Sequence, residues 1–326
     1  MAERPAERAR RIAVTGGAGF IGRHLAGRLA GEGREVLVVD DLSTGRREGL
    51  PPGVRLIELD VCETDALAAR LEGGDAVAHL AAVASVERAH SLPLAAHRTN
   101  ATGTLSVLEA ARRAGVRGGV LAGSAAVYGA SDAAVDESAA LAPSSLYGVD
   151  KRAAEGYVAV YGALYGLGAV TLRYFNVYGP GQRPGGADAP VVARWMAAAA
   201  AGRAIELQGD GEQTRDFVYV ADVAEATARA LDLAATGAGA VLNIGSGRAT
   251  RLASLVEAIT GMAPRPPQVV RTPGRAGDLR HSCADIAAAR ALLGYEPRTD
   301  LASGLAATWA FWAEAGEGDA ARAPAG

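Results

Sequence analysis

Cysteine is nearly absent: Cys62 and Cys283 are the only two in 326 residues, too few for a disulfide framework or a cysteine zinc site. Charge of one sign is not in excess either. Lys and Arg number 33 against 36 Asp and Glu, and a net charge of −3 carries no global basic signature of nucleic-acid binding. No apolar run approaches the roughly 20 residues needed to cross a bilayer. The first eleven residues are charged and lack an apolar core before a cleavage site, so a cytoplasmic location is expected. His24, His90 and His97 follow no metal-ligand spacing, and His79 ends an apolar run, where a packed neutral imidazole is expected. No metal site is expected.

What is present is glycine, 42 residues, within a chain that is still 49% hydrophobic, the composition of a folded soluble protein. The length suits one large or two modest domains. Short continuous apolar runs at 11–17, 35–41, 54–61, 76–82 and 118–125 read as strands covered on both faces. Helix-length segments at 19–31, 64–71, 93–115 and 144–165 lie between or after them, the third opening at Pro93 and closing at Gly115. Strand–helix–strand repetition predicts an α/β fold built on a doubly wound parallel sheet. From about Tyr174 the rhythm breaks. Stretches 180–190 and 263–277 are Pro/Gly-rich connections, 191–202 and 222–235 read as helices, and 240–247 is one more strand. The expected division is a first domain over 1–175 and a smaller mixed α/β lobe over 176–326, with strand 240–247 returning to the first.

Gly16-Gly-Ala-Gly19-Phe-Ile-Gly22 follows the first strand and opens the first helix, the context in which a glycine turn binds phosphate. Gly16 permits the tight turn, Gly19 lets amides approach a pyrophosphate, and Gly22 lets the helix lie on the strand with its N-terminus facing the anion. Asp40 ends the second strand roughly 20 residues on, placed to accept from an adenosine ribose and repel a 2′-phosphate, so NAD is expected over NADP. Asp60-Val61, at the end of the third strand, is placed for the adenine amino group or for a plain turn.

Tyr147 and Lys151 stand at i and i+4 of one helix, hence on one face. An ammonium beside a phenol stabilises the phenolate. Together with a cationic nicotinamide it is expected to draw the phenol down from its usual ~10. Ser124, ending the fifth strand, can hydrogen-bond the same reacting oxygen.

In these blocks the chain resembles the extended short-chain dehydrogenase/reductases that act on nucleotide sugars. The likeness runs through Thr15-Gly-Gly-Ala-Gly-Phe-Ile-Gly22, Asp40-Asp-Leu-Ser-Thr-Gly45, His79-Leu-Ala-Ala82 and Asn100-Ala-Thr-Gly-Thr104. It continues with Ser124-Ala-Ala-Val-Tyr-Gly129, Leu172-Arg-Tyr-Phe-Asn-Val-Tyr-Gly-Pro180, Gly209-Asp-Gly-Glu-Gln-Thr-Arg-Asp-Phe217 and Arg275-Ala-Gly-Asp-Leu-Arg-His-Ser282. It implies a Rossmann domain that holds NAD tightly, a UDP-sugar substrate and a homodimer pairing the helices near 93–115 and 144–165. By the same resemblance Phe20, Ile21, Asp41, Ser43, Thr44, Gly45, Leu80, Ala81, Ala82, Asn100 and Tyr174 line the cofactor. Ala125, Asn176, Arg215, Arg275, Asp278 and Ser282 line the sugar nucleotide, with both arginines clamping the diphosphate.

The implied reaction is 4-epimerisation of UDP-glucose and UDP-galactose through a transient 4-keto sugar, with Tyr147 as base. Dehydratases of this kind carry an Asp-Glu pair after the Ser/Thr, and sugar decarboxylases a Glu nearby. Ala125 and Ala126 occupy those places and transfer no proton. Uronate epimerases carry Thr where Asn176 stands. A non-catalytic NAD-binding module would tend to lose Tyr147 or Lys151. The residue four places after Asp278 is Ser282; a small side chain there leaves room for an N-acetyl group, extending the expected substrates to UDP-GlcNAc and UDP-GalNAc. Trp309, Phe311 and Trp312 are expected in the core beneath the last helix.

Overall fold

Val14 and Thr15 have no exposed surface, and a strand with no solvent face must sit inside a sheet covered on both sides. The computed structural model describes residues 8–184, 189–274 and 279–320, the last seven as backbone. In it β1 (Arg11–Thr15) pairs with β2 (Glu35–Asp40) and β4 (Ala76–His79), and β2 pairs with β3 (Arg55–Glu58). On the other side β4 pairs with β5 (Gly118–Ser124), β5 with β6 (Gly168–Tyr174), and β6 with the late strand β10 (Ala240–Ile244). All six ladders are parallel, and the order β10-β6-β5-β4-β1-β2-β3 is that of a Rossmann sheet.

The strand order reverses between β1 and β4. That leaves a crevice at the carboxyl ends where the residues after β1, β2, β4, β5 and β6 converge.

Helices α1 (Phe20–Gly31), α2 (Thr64–Leu71), α3 (Val86–Ser91), α4 (Pro93–His97), α5 (Gly103–Arg113) and α6 (Leu146–Tyr165) cover this sheet. The segment expected as one helix over 93–115 is interrupted. Residues Arg98–Thr102 form a π-turn between α4 and α5, and Asn100 sits in it. Such bulges add a residue to the turn and re-aim a side chain, which apolar periodicity does not reveal. The third strand is also shorter than the predicted 54–61, so Asp60 and Val61 fall in the turn beyond it.

After β6 come β7 (Asn176–Tyr178), α7 (Val191–Ala200), β8 (Ile205–Gln208), β9 (Thr214–Tyr219) and α8 (Val220–Ala235). After β10 come β11 (Ala249–Arg251), α9 (Leu252–Thr260), β12 (Val269–Thr272), α10 (Ala287–Leu293) and α11 (Leu301–Ala320). Two small sheets, β11-β9-β7 and β12-β8, occupy this half. β12 runs through the stretch expected as a Pro/Gly-rich connection.

α8 packs on α1, β5 and β6, so it joins β10 in the first layer. A second core forms around Trp195, Met196, Phe217, Leu255 and Leu305. Trp312 is buried there and Trp309 packs at its edge, whereas Phe311, expected inside, is 40% exposed. Among the described residues no helix is long and apolar enough to cross a membrane.

Candidate active site at the carboxyl edge

The turn after β1 is a cradle that side chains would fill. Gly16 has φ +66, and a Cβ there would lie 2.5 Å from the Ala81 amide nitrogen. A Cβ on Gly22 would run into the Gly16 carbonyl, so only glycine lets α1 begin this close to β1. Gly19 caps α1 without any side-chain bond. The amides of Phe20 and Ile21 in the first turn therefore remain for an anion.

Asp40 is 6% exposed, and its carboxylate accepts from the amides of Ala18 (3.0 Å) and Leu42 (2.9 Å). It thus fastens the glycine turn to the loop after β2, where a Cβ on Gly45 would meet Asp40 Oδ1 at 2.7 Å. Burial raises the Asp40 carboxyl, and the two amides oppose the shift. Asp41 accepts from the amide and hydroxyl of Ser43, an exposed turn that also places Thr44 at this edge.

Two expectations meet other chemistry. Asp60 accepts from the Cys62 amide at 2.9 Å and pairs with Arg98 at 2.6 Å, so its carboxylate serves the turn and an ion pair. Tyr174 is 7% exposed and its hydroxyl bonds Thr227 on α8 at 2.7 Å. Arg275 and Asp278 lie outside the described residues.

Asn100 grips Val83 at both ends, its Oδ1 accepting from the amide at 2.8 Å and its Nδ2 donating to the carbonyl at 3.2 Å. This steadies the loop that follows Leu80, Ala81 and Ala82. Thr104 Oγ1 donates to the Asn100 carbonyl at 2.6 Å and meets His79 Nε2 at 3.0 Å, while His79 Nδ1 meets Thr15 Oγ1 at 2.7 Å. Burial, with the Lys151 charge nearby, pushes His79 down to about 3, so it is neutral at physiological pH and acts as a strut from β1 to α5.

Tyr147 and Lys151 lie on one face of α6, both buried, with the ammonium 5.8 Å from the centre of the phenol ring. Tyr147 packs against Ala89 and Ala96 and hydrogen-bonds Ser124. Lys151 Nζ donates to the Ala122 carbonyl at 2.8 Å, which pins it across the end of β5.

Burial drives the two groups in opposite directions. It raises the Tyr147 phenol, opposed by Ser124, and lowers the Lys151 ammonium to about 8, opposed by Glu155 and Asp150. The downward pull expected on the phenol is therefore not supplied by the chain alone. Desolvation outweighs the Ser124 hydrogen bond, and a bound nicotinamide cation would favour the phenolate.

Ser124 also accepts from the Ala126 amide at 3.2 Å, closing a short turn in which Ala125 follows directly. Asn176 donates to the Asp216 carbonyl at 3.2 Å. Arg215 donates to the Leu279 carbonyl at 2.7 Å. Ser282 is half-buried in the segment beside β9.

Sequence reading did not single out the groups behind this surface. Arg173 and Glu155 form a buried pair closed at 2.8 Å, and Arg173 also donates to the Tyr128 hydroxyl at 2.7 Å. Tyr128 in turn donates to Asn243 Oδ1 at 2.7 Å. Glu155 and Asn243 stand in segments that read as plain helix and strand, Arg173 and Tyr128 in stretches to which the sequence assigns no element, and only their juxtaposition marks them.

A sequence profile of the NAD dependent epimerase/dehydratase family matches residues 12–245. A UDP-glucose 4-epimerase of Mycolicibacterium smegmatis is 40% identical over 310 residues, 93% of this chain and 98% of that protein. The crystal structure of UDP-glucose 4-epimerase with UDP-glucose from Thermotoga maritima superposes with a TM-score of 0.88 at 34% identity, covering 93% of this chain and 99% of that one. The Thermus thermophilus UDP-glucose 4-epimerase complex with NAD gives 0.86 at 36% identity over 93% and 98% of the two chains. The glycine cradle, the uncapped start of α1 and the carboxylate of Asp40 fit a dinucleotide. The chain belongs to the NAD dependent epimerase/dehydratase family, as an NAD-dependent isomerase of the epimerase type.

Proposed function

We propose that the protein interconverts UDP-glucose and UDP-galactose, and also the N-acetylated pair UDP-GlcNAc and UDP-GalNAc. The observation that carries the reading is the buried Tyr147–Ser124–Lys151 cluster at the end of β5, with two alanines where related lyases place acid and base groups. NAD, when bound, supplies the redox half of the reaction.

Tyr147 takes the proton of the sugar 4-hydroxyl on its phenol oxygen and returns it after the 4-keto sugar has turned over. Ser124 shares a hydrogen bond with the same phenol and orients the sugar oxygen. Lys151 holds a positive charge against the phenolate. Gly16, Gly19 and Gly22, with the amides of Phe20 and Ile21, receive the pyrophosphate, and Asp40 takes ribose hydroxyls. Asp41, Ser43, Thr44 and Gly45 line the adenosine side, while Val61, Leu80, Ala81, Ala82 and Asn100 wall the crevice. On the substrate side Ala125 and Asn176 face the sugar, and Arg215 with Arg275 clamps the diphosphate. Asp278 reads the nucleoside ribose, and Ser282 faces the C2 substituent.

The experiment is incubation with UDP-galactose, UDP-GlcNAc and UDP-glucuronate, with products separated by chromatography. The reading expects turnover of the first two. Ser282→Tyr should overfill the pocket for N-acetyl sugars and spare UDP-galactose. Equal loss on both sugars, or no wild-type turnover of UDP-GlcNAc, removes the gatekeeper role.

The same reading includes a homodimer. Val149, Val160 and Leu164 on α6 are 50%, 51% and 67% exposed and recur at helical spacing, while Leu94 on α4 is 85% exposed. An apolar stripe of this kind suits a second copy of the same helices about a two-fold axis. A monomer mass by light scattering at micromolar concentration refutes it.

A further inference from the structure

Asp216, in β9 immediately after Arg215, has no solvent exposure. Its carboxylate takes five hydrogen bonds, all from neutral donors, the longest from Cys283 Sγ to Oδ2 at 4.0 Å. Oδ1 accepts from the Ser246 amide at 2.7 Å and the Ser246 hydroxyl at 2.6 Å. Oδ2 accepts from the amides of Gly247 at 3.0 Å and Ala284 at 3.1 Å. Burying a carboxylate is costly unless such donors replace water. The site is also built around it. A Cβ on Gly245 would lie 2.5 Å from Asp216 Oδ2 and 2.8 Å from the Ala284 Cβ, so glycine at 245 is what admits the carboxylate.

The five bonds join three pieces of chain through one side chain: β9, the loop that follows β10, and the segment 279–284. That segment is stitched along β9. The Thr214 amide donates to the Arg280 carbonyl at 2.9 Å, and Thr214 Oγ1 meets His281 Nδ1 at 3.0 Å. Arg215 reaches the Leu279 carbonyl, and the Ala284–Asp216 bond closes the far end. Ser282 hangs between the His281 and Ala284 fastenings. Asn176 donates to the backbone carbonyl of Asp216 itself.

Resting on the nucleotide-sugar reading above, we propose that Asp216 is a positioning residue for substrate. It touches neither sugar nor cofactor, and it holds the 279–284 segment at the distance from β9 that lets Asn176, Arg215 and Ser282 act on one ligand. The requirement for an acid follows from the donor set. An ionised carboxylate accepts at both oxygens, whereas an amide presents N–H at one of them. An asparagine turned with its nitrogen toward Gly247 and Ala284 would oppose two backbone donors that cannot reverse. Turned the other way it opposes only the Ser246 amide, because the Ser246 hydroxyl can switch to accepting. Asp216→Asn therefore keeps the Ala284 fastening and loses part of the loop, while Asp216→Ala loses both.

The test uses the full-length protein with its NAD, titrated with UDP by calorimetry and assayed with UDP-galactose. Asp216→Ala is expected to weaken UDP binding and raise KM by roughly tenfold to a hundredfold, the scale of a displacement of about an ångström in a positioning contact. kcat and NAD content should change far less, since the glycine turn, Tyr147 and Lys151 are untouched. Asp216→Asn should fall between. Gly245→Ala, which keeps the carboxylate but pushes it away from Ala284, should reproduce the KM effect.

A folded, NAD-loaded Asp216→Ala or Gly245→Ala with wild-type UDP affinity and KM overturns the assignment. So does loss of fold in both variants, which would make Asp216 a structural group only. If the wild type itself fails to bind UDP, the nucleotide-sugar reading falls and this assignment with it, a result distinct from a variant that binds UDP as the wild type does.

Discussion

Replacing Tyr147 with phenylalanine removes one oxygen and leaves the rest of the site in place. The ring still fills the space between Ala89 and Ala96. Ser124 loses its bond to the phenol but keeps the one to the Ala126 amide. The stability cost is therefore about 1 kcal/mol or less, the net worth of one internal hydrogen bond. For a chain of this size that is about 1–2 °C in Tm. The rate tells a different story. General acid–base catalysis by one positioned side chain contributes roughly 10²–10⁴-fold, or about 2.7–5.5 kcal/mol of barrier. kcat for UDP-galactose should fall by that factor, while KM and NAD content hold, because no phosphate or ribose contact is lost. The assay follows UDP-glucose formation through a coupled dehydrogenase, with thermal unfolding run alongside. Retention of more than about a tenth of the wild-type rate, worth only ~1.4 kcal/mol, would refute Tyr147 as the base.

The pH profile tests the partner of that base: the Lys151 ammonium is present below about 8 and lost above it. Lys151→Met removes the charge that favours the phenolate, so the acid limb of kcat/KM should move to higher pH; an unmoved limb refutes the role. The protein is expected to purify with NAD, and Asp40→Ala should release it more readily because the ribose acceptor and the brace on Ala18 go together. Equal or tighter binding of NADP to the wild type would overturn the Asp40 assignment. Behind the site, Arg173→Leu strands Glu155 in a buried setting and should cost about 3–5 kcal/mol by urea unfolding. The double replacement Arg173→Leu/Glu155→Leu should cost much less than the sum of the singles, and strict additivity would mean that the pair is not coupled.

Local sequence was decisive wherever a backbone requirement or a period of the chain is itself the function. Glycine at 16 and 22 is dictated by a positive φ and by a helix start that leaves no room for a Cβ. The parallel sheet follows from continuous apolar runs separated by helix-length segments. Tyr147 and Lys151 share a face because they are one helical turn apart. None of these needs a distant partner to be read.

Tertiary structure decided the rest, because burial and partner choice belong to pairs of elements far apart in the chain. The π-turn that aims Asn100 at Val83 leaves no mark in the apolar pattern. Asp60 was legible as a strand-end carboxylate, but only folding brings Arg98 onto it, just as only folding turns the Tyr174 hydroxyl toward Thr227. The direction of the Tyr147 shift was set by desolvation, a property of everything packed around α6 rather than of the residue four places on. Asp216 reads in sequence as one more acid after an arginine. Its five donors arrive from residues 30 to 68 positions away along the chain, so its place at the junction exists only once β9, β10 and the segment before α10 have met.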